Sequence, residues 1–117
     1  MKLTFALASA EDKLNERIRA QRQRLIDLRK QIQIHNRITP MRRQIKRNLM
    51  SAKNTKDVKM QKNLRVARTE LAARIAKLER TLTTRMSPSA LKASVKKAAE
   101  RLTALTAKLS EVRQSKD

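Results

Sequence analysis

The sequence contains no glycine in 117 residues, and its only special backbone residues are two prolines. Glycine supplies the positive-φ positions of tight hairpin turns and the close backbone approach of phosphate-cradling loops. The single aromatic residue is Phe5, so the rings that favour pleated strands are missing as well. The chain is built largely from Ala, Leu, Lys, Arg, Gln and Thr, most of which favour helix. A β-rich fold is excluded. The expectation is an all-α chain of one domain: an extended helical hairpin or a three-helix, coiled-coil-like bundle, completed by oligomerisation or by a partner.

Both prolines follow a hydroxyl residue, as Thr39-Pro40 and Ser87-Pro88. A Ser or Thr cap followed by proline at the first helical position is a start signal. The pairs divide the chain into helical segments 11–38, 40–86 and 88–115. In the first, Ile18, Leu25 and Ile32 recur every seven residues, with Leu14, Gln21, Leu28 and His35 interleaved. This is a narrow coiled-coil seam with polar residues at two positions. In the last, Leu91, Val95, Ala98, Leu102, Leu105, Leu109 and Val112 alternate in steps of four and three, the strongest helix pattern in the chain.

The middle segment is less regular. Met41, Ile45 and Leu49 form a stripe at its start, and Leu64, Leu71, Ile75, Leu78 and Leu82 form one in its second half. Between them, "SAKNTKDVK" (51–59) has no sustained stripe. Asn54, with Asp57 three residues on, reads as a fresh N-cap, so a break is expected at 50–57. The last two helices then make an antiparallel hairpin through the Ser-Pro turn.

Residues 1–10, MKLTFALASA, carry an apolar run from Leu3 to Ala8 that is short for a signal peptide and interrupted by Thr4. They read as a retained apolar tip, packed on its own bundle or anchored in a partner's cleft or at a membrane surface. The expected location is inside a cell, in cytoplasm or nucleoid, or within a virion, not secreted.

The side chains of catalysis are scarce. There is one histidine, His35, and no cysteine; without glycine there is no phosphate loop or nucleophile elbow. Glu16, Asp27 and Glu70 precede Arg19, Lys30 and Arg74 by three or four residues, as ordinary helix-surface pairs. Glu11, Asp12 and Glu16 suit the positive end of a helix dipole. Met41, Met60 and Met86 lie at or near the apolar stripe and read as core filling. No enzymatic activity, metal site or cofactor is expected.

What remains is charge. Thirty Lys+Arg oppose 10 Asp+Glu, a formal +20, well beyond the few units that solubility requires. Residues 40–70 carry 10 cations and 2 anions. Arg42, Lys46 and Lys53 share one helical face, with Arg43 and Arg47 beside them. Lys59, Lys62, Arg65 and Arg68 step by three in a stripe that winds round the helix. Without aromatic stacking platforms, and without zinc-finger, RRM or KH signatures, recognition reduces to sugar-phosphate contact, which positions but carries no sequence code. These nine residues are therefore the expected grip of a non-enzymatic, sequence-nonspecific DNA- or RNA-binding protein, a structural subunit of a ribosome, virion or compacted DNA. Two alternatives stand beside it. One is a coiled-coil scaffold that meets an acidic protein partner and assembles with itself or its neighbours through the helix seams. The other, less supported, is a helical protein of anionic membrane surfaces.

Overall fold

The computed structural model describes the backbone of residues 2–115 and the side chains of residues 9–115. The expected packing of the apolar tip rests on side chains before Ser9 and lies outside the described residues. Three helices occur among them, α1 (Lys2–Asn54), α2 (Val58–Glu79) and α3 (Pro88–Gln114), and no strand. No helix is long and apolar enough to cross a membrane. The chain divides into two units. One is residues 1–30 with 86–117, and the other is residues 31–85. The second half of α1 thus groups with α2 and its first half with α3, whereas the sequence pattern paired α2 with α3.

The two hydroxyl-proline pairs behave differently. Ser87 is extended (φ −67°, ψ 159°), its Oγ accepts from the Ala90 amide at 3.2 Å, and Pro88 opens α3. Thr39-Pro40 starts nothing. Pro40 lies inside α1, which begins well before residue 11 and continues to Asn54. Proline has no N–H for the carbonyl four residues back, and an interior proline costs about 3 kcal/mol. Here Pro40 is exposed, while the Thr39 hydroxyl donates to the His35 carbonyl at 2.9 Å. The seam runs uninterrupted through the pair, with Ile38 only 1% exposed and Met41 and Ile45 half-buried. Burying a side chain such as Ile38 is worth about 1.5–3 kcal/mol, enough to offset much of the proline penalty. Before Ser87, by contrast, residues 82–87 are non-helical, so the cap has a chain end to act on.

In the unit built from 1–30 and 86–117, α1 and α3 run antiparallel. Arg113 Nε donates to Glu11 Oε1 at 3.1 Å near one end, and further along, Arg17 and Gln21 lie beside Arg101 and Leu105. Ile18, Leu105 and Leu109 form its core cluster, with Leu14 and Leu102 packed against it. Leu25, Leu28, Leu91 and Ala98 are also buried. Val95 and Val112 are half-buried, as is Gln21. The seams read from the heptads therefore face inward within one chain.

The unit 31–85 is an αα-hairpin. Its turn is residues 55–57, inside the expected break, but the cap is Asp57 and not Asn54, which ends α1. Asp57 Oδ1 accepts from the amides of Lys59 (3.0 Å) and Met60 (3.4 Å), and its own amide donates to Thr55 Oγ1 (3.2 Å). Gln61 Nε2 reaches back to the Thr55 and Ala52 carbonyls at 2.8 and 3.4 Å, satisfying acceptors that the end of α1 leaves open. α2 stops at Glu79, seven residues before the expected 86, and the Thr-rich stretch after it is not helical.

The seam of this hairpin is unusually polar. Ile38 and Ile75 are buried, and so are Gln31 and Asn48. Gln31 Oε1 accepts from the Thr83 amide at 2.9 Å, tying down the chain beyond α2. On α1 the inward residues run Ile38, Met41, Ile45, Asn48 and Ala52, alternating steps of three and four. That register puts Leu49, expected inside, at 41% exposure, and Met60, expected as filler, at 47%.

Candidate nucleic-acid interface

All nine expected phosphate-contacting residues fall within the hairpin unit. Residues 31–85 carry 15 Lys+Arg and 3 Asp+Glu, a net +12; the other unit carries 15 and 7, a net +8. Arg42, Arg43, Lys46, Arg47, Lys53, Lys59, Lys62 and Arg65 are exposed, and Arg68 is half-buried.

The nine are not equivalent. Arg42 pairs with Glu79 across the hairpin, with both side chains substantially exposed. Arg47 Nη2 donates to Gln44 Oε1 at 2.7 Å on its own helix, and Gln44 Nε2 donates to Asn48 Oδ1 at 2.8 Å. Arg68 Nη1 donates to the Asn48 carbonyl at 3.3 Å, joining α2 to α1. Arg68 is therefore a structural clamp as well as a cation. The side chains of the remaining six cations are exposed and have no hydrogen bond or ion pair with the described residues.

Helical phase explains why Arg68 differs from its companions. A step of three residues advances about 300°, so each cation of the series sits about 60° behind the one before. Lys59 and Lys62 face away from α1, Arg65 lies on the flank, and Arg68 arrives in the seam. Glu79, eleven residues beyond Arg68, returns to nearly the same line of α2. The Arg42–Glu79 contact therefore identifies the flank of α2 that meets the Arg42 flank of α1. Lys46 and Lys53 lie within about 40° of Arg42 on α1. One side of the hairpin thus gathers Arg42, Lys46 and Lys53 from α1 with Arg65 and Arg68 from α2. Arg43 and Arg47, about 100° further round α1, join Lys59 and Lys62 on the outward surfaces.

At the open end of the hairpin, His35, Arg42, Glu79, Leu82, Thr83, Thr84 and Arg85 line a pocket. His35 Nε2 is buried there without a hydrogen-bond partner among the described residues.

Sequence reasoning concentrated on residues 40–70 and passed over a second cationic arrangement in the other unit. There Arg17, Ala20 and Gln21 of α1 and Arg101, Ala104, Leu105 and Lys108 of α3 line an open furrow of about 360 Å³. Its signal was present in the spacing. Lys13, Arg17 and Arg24 on α1, and Lys97, Arg101 and Lys108 on α3, step by four and seven, which holds each trio within about 40° on one flank.

No protein-family model matches the sequence, and neither the curated proteins nor the solved structures include a match to it.

Proposed function

We propose that this is a non-enzymatic helical protein that binds nucleic acid through the phosphate backbone, with the 31–85 hairpin as its principal contact, acting as a structural subunit of a nucleoprotein assembly. The observation that carries the reading is the concentration of 15 cations against 3 anions on a hairpin of 55 residues, most of them on exposed helical surface. Self-repulsion of this magnitude opposes compaction, and a polyanion relieves it. Binding also gains from counterion release, with a salt slope near −0.9 per neutralised duplex phosphate.

The hairpin presents its cations on helices, without aromatic rings for base stacking. Arg42, Lys46, Lys53 and Arg65 rim one side, and Arg43, Arg47, Lys59 and Lys62 extend the charge outward. Such a surface contacts phosphates and leaves base identity unread. A second copy or neighbouring proteins of the assembly cover the apolar residues left exposed, among them Val58 and Val66.

The test is salt-titrated binding to duplex DNA and to RNA of several sequences, after nuclease treatment and high-salt purification. A steep logarithmic salt slope with little dependence on sequence is expected. Weak binding with a shallow slope to both polymers would reject the reading and turn attention to an acidic protein partner.

A further inference from the structure

We infer that the α1/α3 furrow is a second phosphodiester-binding surface, separate from the hairpin, so that one chain holds two stretches of polymer. The inference rests on the proposed nucleic-acid reading and extends it to a part of the chain which that reading does not use.

Three observations carry it. First, Arg17, Arg101 and Lys108 line the furrow from both helices, and no carboxylate lines it. The hairpin pocket, by contrast, contains Glu79 beside Arg42. Second, Gln21 and Leu105 line the furrow from the seam side and Ala20 and Ala104 from the exposed side, where their methyl groups leave open the space beside the cations that longer side chains would fill. Third, the rims continue along the helices. Lys13 and Arg24 extend the Arg17 line and Lys97 extends the Arg101–Lys108 line, each at a step of four or seven. A row that keeps to one flank suits a ligand with regularly repeated negative charge, which is what a phosphodiester chain offers.

Arginine at two of the three rim positions favours phosphate, because its planar fork donates two parallel hydrogen bonds to one tetrahedral oxyanion. Gln21 also lines the furrow, and the N–H groups of its amide can donate to a phosphate oxygen. DNA and RNA share the phosphodiester chemistry and are separated in the test.

The experiment uses the full chain with R17Q, R101Q and K108Q combined, compared with wild type and with R43Q, K46Q and K62Q combined in the hairpin. Helix content is checked by circular dichroism. Binding to duplex DNA and to RNA is titrated against salt, and bridging is read as co-association of two differently labelled duplexes. The furrow variant is expected to bind with a duplex salt slope shallower by about 2–3 and to lose bridging. The more strongly affected polymer identifies the preferred source of the phosphodiester. A104E, which places a carboxylate beside Arg101 and Lys108 on the furrow lining without removing a seam residue, is expected to cause the same loss and guards against a folding defect in the triple variant.

Wild-type slope and bridging in both furrow variants, with the hairpin variant impaired, would overturn this inference and leave the hairpin reading intact. Absence of nucleic-acid binding by the wild type would overturn both. Displacement of nucleic acid by poly-glutamate of equal charge, equally effective on wild type and furrow variant, would also overturn it, because the furrow would then select no phosphate.

Discussion

The Arg68 guanidinium donates to the backbone carbonyl of Asn48 at 3.3 Å, so a residue that composition assigns to a phosphate-binding stripe also holds the hairpin together. Its neighbour three residues earlier, Arg65, is exposed and free of such a contact. Replacing the two by Gln separates architecture from binding. R68Q is expected to lower hairpin stability by about 1 kcal/mol, the scale of one such hydrogen bond. R65Q is expected to leave the melting temperature within a degree or two and to lower only the salt slope of nucleic-acid binding. Thermal unfolding by circular dichroism, paired with salt titration, checks both.

Arg42, Arg43, Lys46 and Arg47 changed together to Gln remove four cations from one stretch of α1. The expected result is weaker binding and a duplex salt slope shallower by about 3–4, with helix content nearly unchanged. An unaltered slope would remove this stretch from the interface. The Arg42–Glu79 pair is exposed on both sides, and its loss is worth at most about 1 kcal/mol.

Pro40→Ala distinguishes a helix interior from a helix start. In α1 the substitution restores an N–H for the Asn36 carbonyl and removes an interior proline. Stability should rise by about 1–2 kcal/mol, since the interior penalty is partly offset by the proline's restriction of the unfolded chain. A loss of stability would mean that Pro40 serves as a first-turn residue.

Asp57→Ala removes the cap that α2 relies on, because its carboxylate accepts from two otherwise open amides. A cost of about 1 kcal/mol is expected, with D57N retaining most of the stability. Asn54→Ala, at the residue that the sequence pattern favoured as a cap, should be nearly neutral. Denaturant titration of the three variants gives the comparison.

Ala98 is 1% exposed in the α3 seam. Ala98→Leu is expected to destabilise by about 1–3 kcal/mol through overpacking, whereas Ala104→Leu, at an exposed position of the furrow lining, should cost little. Equal effects at the two positions would contradict the assigned face of α3.

The helical class, the α3 seam and the Ser87 cap were legible in the residues alone. The lack of glycine, the four-three alternation from Leu91 to Val112 and the Ser-Pro pair are local signals that act within one or two helical turns. The break near 55 was legible as a gap in the stripe. Its capping residue was not, because Asn54 and Asp57 have similar side-chain chemistry and only the folded turn chooses between them. Among the cations, exposure followed from sequence for eight of nine, and the seam position of Arg68 emerged from winding phase together with contact to Asn48.

The continuation of α1 through Thr39-Pro40 depended on packing beyond that local pattern. Ile38 is buried in a hairpin closed by residues far along the chain, and that burial offsets a proline penalty that local preference alone would avoid. The partner of α3 was equally a tertiary matter. Its apolar stripe is satisfied by any complementary seam, and the folded chain supplies the first half of α1. Local periodicity specifies that a face must be buried; long-range complementarity specifies against what.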